Sequence, residues 1–338
     1  DKDSSPPLWS YTTGSYVRSV TISADGEYIA ASSYDDNVYL FDKDSSTPLW
    51  NYTTGHDVRS VSISADGEYI TAGSNGNKIY LFHKDSSTPI WNYTTGNNVY
   101  SVAISADGEY IVAGGLDGEV YLFDKDSNTP LWTYNTWSYL YWVVISADGE
   151  YIVASTYDDK IYLFDKDSST PLWSYDTGEY VESVAISADG EYIAAGSDDD
   201  KVYLFDKDSS TPLWSYTTGD DVRSVAISAD GEYIAAGSFD DKVHLFDRGS
   251  STGGPPVAYA ISFSDASVGL DVRPGASGVG CTEILISNEG TATIDVDVSI
   301  TGGGVTISPG AISVTLAAGV DITVPVCALA VTRSNYKI

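Results

Sequence analysis

A tryptophan following Pro-Leu or Pro-Ile stands at Trp9, Trp50, Trp91, Trp132, Trp173 and Trp214, a constant step of 41 residues. The six copies marked by this step run from Asp1 to Phe246 without an insertion or deletion. A chain bound to a fixed period of that length folds as one supersecondary unit repeated, each copy burying its apolar face against the next. Nothing in the unit has helical period, which excludes an α-solenoid.

The copy from Asp206 to Phe246 shows what the unit is. Four short β-prone runs, Leu213 to Tyr216, Val222 to Ser228, Glu232 to Ala236 and Lys242 to Phe246, are separated by turn chemistry. Asp230-Gly231 between β-branched runs is a strong hairpin signal. Phe239-Asp240-Asp241 supplies a second polar tip, and Pro212 stands just before the outer run, where a missing ladder donor is tolerated. Four strands in about 41 residues describe one blade of a propeller.

The phrases Val222-Arg223-Ser224-Val225-Ala226-Ile227-Ser228-Ala229-Asp230-Gly231, Ile234-Ala235-Ala236-Gly237-Ser238 and Val202-Tyr203-Leu204-Phe205-Asp206 resemble WD-repeat and YVTN-type propeller blades. Gly55-His56 ahead of Val58 adds to the resemblance, while the Trp-Asp dipeptide is replaced by Phe41-Asp42 and its equivalents. The tail Leu-Phe-Asp-Lys-Asp followed by Pro-Leu-Trp is similar to the tryptophan-docked blades of quinoprotein-like propellers. The resemblance implies a fold and no particular chemistry. It also implies that Leu8 to Tyr11 is the outer strand of the sixth blade, so that the N-terminus closes a six-bladed ring; a seventh blade from an upstream segment is the alternative.

Six copies in one chain compare themselves. The Ser-Ala-Asp-Gly-Glu-Tyr turns are identical in all six, and the Asp-Lys-Asp-Ser loops are nearly so. In the implied geometry these loops share one face of the disc. All the variation falls on the opposite face, at Ser15-Tyr16, His56-Asp57, Asn97-Asn98, Ser138-Tyr139, Glu179-Tyr180 and Asp220-Asp221, and at Tyr34, Asn75, Leu116, Tyr157, Asp198 and Phe239. The fourth copy departs furthest: Trp137 replaces the turn glycine, and Tyr141-Trp142 stand where others have Arg-Ser, Tyr-Ser or Glu-Ser. Trp137, Tyr139, Tyr141 and Trp142, flanked by Tyr157 and Tyr180, are therefore expected to form one aromatic sector suited to a protein surface or a sugar ring. The alternative for Trp142 is that it fills the central channel.

Beyond the repeats, Arg248 to Pro256 (RGSSTGGPP) is a linker. Residues 257–338 stay β without the period: Ile294, Val296, Val298 and Ile300 alternate with Asp295, Asp297 and Ser299, and further runs are Val257 to Ser264, Val268 to Val272, Thr282 to Ser287, Ala311 to Leu316 and Val320 to Val326. Short strands at this spacing describe an immunoglobulin-like β-sandwich, and the phrase from Asn288 to Val296 resembles small Ig-like modules of prokaryotic surface proteins. Cys281 and Cys327 make one possible disulfide. By strand parity neither shares a face with its apolar neighbours, so a peripheral staple is expected rather than a bridge between sheets. The fold class is thus all-β, with a six-bladed propeller over 1–247, a linker over 248–256 and a sandwich over 257–338.

Charge decides which partners are plausible. Seventeen Lys plus Arg against 48 Asp plus Glu leave a net −31, which argues against nucleic acid or an anionic membrane. No apolar run is long enough for a membrane span in this segment. With Asp1 first and no methionine, the chain reads as processed, most simply by loss of a signal peptide. The sequons at Asn51 and Asn92 and the single cysteine pair agree with a place outside the cell.

Catalytic chemistry is poorly represented. His56, His83 and His244 occupy unrelated positions in the repeat, and no Cys-x-x-Cys, phosphate loop or catalytic motif is present. The Asp-Lys-Asp-Ser-Ser loops carry alternate oxygen ligands but lack the glycine and distal glutamate of a calcium loop, so no cofactor is expected and calcium is the alternative. A quinoprotein-like oxidoreductase is a minor third reading. The leading expectation is a non-enzymatic structural protein of the cell exterior, a subunit of a filament, pilus-like fibre, sheath or surface layer. It would form a homopolymer through the sandwich, with the linker and the tail Arg333 to Ile338 as contacts. The alternative is an adhesin binding a glycan or a cell-surface protein through the variable face.

Overall fold

The computed structural model describes residues 7–249 and, beyond them, six strands between Ala258 and Cys327. The chain divides into two compact units, Asp1–Ala258 and Tyr259–Ile338. Among the described residues no helix is long and apolar enough to cross a membrane.

Each copy of the repeat is one antiparallel sheet. In the first copy the inner strand Val17–Ile22 pairs with Tyr28–Ser33, then Asn37–Asp42, then the outer strand Trp50–Thr53. The next four sheets repeat this order, with inner strands Val58–Ile63, Val99–Ile104, Leu140–Ile145 and Val181–Ile186. The sixth copy contributes Val222–Ile227, Tyr233–Ser238 and Lys242–Asp247. The four expected runs of the unit agree with these bounds to within a residue or two.

Local chemistry explains the repetition. Asp25 Oδ1 accepts from the Ser23 hydroxyl at 2.6 Å and from the Glu27 amide at 3.0 Å, while Ser23 Oγ accepts the Tyr28 amide. Gly26 adopts φ 75°, which a turn of this kind assigns to glycine. The Ala24 amide reaches out of its own copy to the Ala65 carbonyl at 2.9 Å, and the same bond recurs from Ala65 to Ala106, Ala147, Ala188 and Ala229 in turn. The invariant phrase is therefore both a hairpin and a coupling between neighbours. On that same face Asp42 Oδ1 accepts the Asp44 amide, and Lys43 Nζ pairs with Glu27 and Asp44. Each lysine is thus shared between two carboxylates, and the loop remains net negative.

The core lies between sheets. Trp50 leaves the outer strand of the first copy and docks on Phe82 of the second at 5.3 Å, its Nε1–H donating to the Lys84 carbonyl at 2.7 Å. Tyr52 meets Tyr80 and Phe82 beside it. Ala30, Val38 and Leu40 pack against Val58, Val61, Ile70, Ala72 and Phe82. Equivalent residues fill the four junctions that follow.

The expected closure of the ring by the N-terminus takes a different form. Trp9 does dock on the first copy as an outer-strand tryptophan should, 5.3 Å from Phe41 and bonded to the Lys43 carbonyl. However, no strand is assigned over Leu8 to Tyr11. Adjacent inner strands pack together at five junctions, but Val17–Ile22 and Val222–Ile227 are not packed in this way. The propeller is open there among the described residues.

In the second unit Cys281–Asn288 lies between Val268–Pro274 and Asp321–Cys327 in one antiparallel sheet, and Ile294–Thr301 pairs with Ile312–Leu316. These strands follow the expected runs closely. The register sets Cys281 opposite Cys327 on neighbouring strands of one sheet. The tail Arg333 to Ile338 and most of the linker lie outside the described residues.

Candidate functional site at the variable face

Backbone irregularity, repeated in register, builds this face. Every inner strand carries a bulge near its start, where the pairing skips one residue: Arg18, Arg59, Tyr100, Tyr141, Glu182 and Arg223 in the six copies. A bulge inserts an unpaired residue and re-aims its side chain. Here bulge residues of the first four copies meet, and Arg18, Ser19, Arg59, Ser60, Tyr100, Tyr141 and Trp142 line a pocket of about 130 Å³ between the inner strands. That is below the usual few hundred Å³ of a drug-sized ligand site, so it suits a single small group such as a carboxylate or one side chain of a partner.

The two halves of this ring differ in charge. Arg59 donates through Nε to Asn75 at 2.8 Å and lies 4.1 Å above the Tyr100 ring while lining the pocket. Burial raises the Tyr141 phenol, Glu182 adding to the effect and Arg223 and Arg18 opposing it. Arg223, by contrast, is engaged by Glu182, by Asp221 at 3.0 Å and by Asp198 at 3.4 Å, above the Phe239 ring. Three carboxylates around one guanidinium leave surplus negative charge. Burial therefore pushes Asp198 up to about 6 from its ordinary 3.8, with Arg223 opposing and Glu182 and Asp221 adding.

A raised carboxyl stabilises the fold below its unfolded pKa and loses that contribution as pH rises through the folded value. Relative to Asp198→Asn, the wild-type chain should therefore lose stability between about pH 4 and pH 7. Denaturant midpoints of both proteins across that range measure it, and parallel curves would contradict the assignment.

The six aromatic residues expected to form one sector are divided into three places. Tyr139, Tyr157 and Tyr180 form a row of rings across the fourth and fifth copies, with Tyr157 stacked on Tyr180 at 4.1 Å and Tyr139 at 6.4 Å from Tyr157. Tyr141 and Trp142 turn inward to the pocket. Trp142 occupies the place where Ser60, Ser101 and Ser183 accept an amide from the following copy, and an indole has no acceptor to replace that bond. Trp137 stands apart at the loop tip, 91% exposed at φ 63°. Left-handed backbone is unfavourable for a bulky residue, and glycine holds this place in the other five copies.

The remaining candidates also have places. Asn51 and Asn92 lie exposed on outer strands. His83 pairs with Glu68, His244 is buried against Asp240, and His56 lies on the variable face; the three do not converge. Asp240 is held at about 2 although burial opposes this, through Lys242, the Gly219 amide and His244. Among the described residues, the acids whose oxygens converge within 4.8 Å are Asp200, Asp220 and Asp221 rather than the repeated Asp-Lys-Asp loops considered for calcium. Sequence reasoning missed Arg18, Arg59, Tyr100, Glu182 and Arg223. Their signal was present, since all stand in the same phase of the repeat as Tyr141, but a bulge cannot be recognised from that phase alone.

Repeated four-stranded antiparallel sheets stacked in this way define a β-propeller. Comparison with known families agrees: residues 6–42, 46–83 and 87–124 each match the WD domain, G-beta repeat. Residues 116–253 match a family described as outer membrane protein assembly factor BamB. The first WD match includes Trp9 with the three strands that follow, the same outer-strand-first phase as the docking geometry. No curated protein matches the chain.

Proposed function

We propose that this chain is a non-enzymatic interaction scaffold of the cell exterior, in which six blades and an Ig-like sandwich over 257–338 display the variable face to a protein or glycan partner. Trp137 carries this reading. An indole held in left-handed backbone and almost wholly exposed is poorly explained by folding, and strained outliers of this kind cluster at functional positions. The tyrosine row of the same face supplies rigid, amphipathic contact area, and the arginine-lined pocket offers an anchor for a carboxylate in an otherwise acidic molecule.

The test uses arrays of glycans and of peptides ending in acidic residues as probes. The chain is expected to bind members of one class, and Tyr157→Ala with Tyr180→Ala to weaken that binding about tenfold without altering the melting curve. Equal binding by the variant, or binding to neither array, counts against the proposal.

Assembly into a homopolymer, as a filament, fibre, sheath or surface layer, is a second reading. What favours it is the three-stranded sheet of the second unit, whose outer strands Val268–Pro274 and Asp321–Cys327 pair with no further strand among the described residues and so offer edges for strand addition. A disulfide between Cys281 and Cys327 and glycans at Asn51 and Asn92 belong to the same extracellular proposal. Intact mass of native material with and without reductant tests them.

A further inference from the structure

The open junction between the first and sixth copies has two chemically defined sides. At the five closed junctions one copy presents a trailing face, the Ala30, Val38 and Leu40 positions, and the next presents a leading face, the Val58, Val61 and Ile63 positions. The first copy has the same leading face without a cover. Val17, Val20 and Ile22 are 49%, 65% and 59% exposed, whereas Val58, Val61 and Ile63 are 0%, 4% and 8% exposed. The sixth copy has the same trailing face, equally uncovered: Val243 is 59% exposed and its equivalent Val202 is 0%. The line of Ala-to-Ala amide bonds also runs from Ala24 to Ala229 and ends at both.

The occupant is indicated by the segment from Leu8 to Thr13. Trp9 and Tyr11 hold the outer-strand place of a blade preceding the first copy, with Tyr11 at 5.5 Å from Tyr39 and 5.2 Å from Phe41, matching Tyr52 in the next junction. Among the described residues no sheet of their own lies beside them. If the sixth copy were that sheet, Val243 and Val20 would bury each other, and both remain exposed.

We propose that this junction receives one further three-stranded unit of the same repeat. Its trailing face covers Val17, Val20 and Ile22, its leading face covers Val243 and Leu245, and Leu8 to Thr13 becomes its fourth strand. The partner is identified by chemistry alone: an Ala/Val/Leu trailing face, a Val/Val/Ile leading face and an Asp-Gly turn able to continue the Ala-to-Ala bonds. With it in place Arg18 would be enclosed on both sides, as Arg59 is. The inference does not depend on what the variable face binds.

The full chain carrying Val20→Cys or Val243→Cys is compared with the same chain extended before Asp1 by a second copy of residues 219–246. Thiol alkylation is read by mass spectrometry. Both cysteines should label freely in the unextended chain and about 100-fold more slowly in the extended one, with a higher melting temperature. An extension whose trailing-face Ala, Val and Leu are replaced by Lys should give neither effect. Continued labelling in the first extended chain overturns the proposal. Shielding in the unextended chain at every concentration means the ring closes on itself, and shielding that grows with concentration means a second copy covers the faces; either overturns it as well.

Discussion

Trp91→Ala is expected to lower the unfolding free energy by about 3–5 kcal/mol, the usual range for truncating a buried large aromatic. Trp91 is buried at the junction of the second and third copies, 5.3 Å from Phe123, within a cluster containing Val99, Val102, Ile111 and Ala113. Its Nε1–H donates to the Lys125 carbonyl at 2.7 Å, so the substitution leaves a cavity and removes a bond between copies. Because a repeat array depends on coupling between neighbours, the loss should also broaden the unfolding transition. Trp9→Ala is the internal control. Trp9 makes the same contacts with Phe41 and Lys43 but, among the described residues, belongs to no sheet of its own, so its truncation should cost less than half as much. Urea titrations of the two variants decide the point, and equal losses would show that the open junction is covered in solution.

Trp137→Gly is expected to act in opposite directions on stability and on binding. Glycine accepts φ 63° without the roughly 1–2 kcal/mol that a side chain loses in left-handed backbone, so the variant should melt higher. If the exposed indole is the anchor of the binding face, its removal should weaken partner binding by at least ~2 kcal/mol, about 30-fold. Gly55→Trp provides the reciprocal experiment, because Gly55 has φ 86° and open space around it. That variant should lose stability by a similar amount and gain no binding, since the second copy lacks the tyrosine row. A Trp137→Gly chain that binds normally would remove the main support for the proposed face, whatever its melting temperature.

The parts of the fold legible in the sequence were those fixed within one copy. Asp230-Gly231 and its equivalents marked hairpins that the structure forms through the Ser-to-Asp and Asp-to-amide bonds. The division into a uniform and a variable face also follows from the sequence, because loops on the two faces alternate along every copy and only one set differs. The grouping of the aromatic residues was less legible. Tyr139, Tyr157 and Tyr180 form one row of rings, whereas Tyr141 lies in a bulge and lines a pocket with Arg18 and Arg59. Strand alternation predicts the side of a residue only while the register is regular, and the bulge interrupts it by one residue.

Closure was least legible of all. Each copy encodes a leading and a trailing face, and identical junctions follow wherever two copies meet. How many such units complete the circle depends on the small rotation between neighbours accumulated around the axis, a quantity no single 41-residue unit expresses. The sequence by itself therefore determined the blade, its turns and the chemistry of its junctions, because those are set by local pairing and burial. Only the tertiary structure decided which bulge side chains line the pocket between the inner strands and that, among the described residues, one junction stands open, because both depend on the relative placement of distant copies.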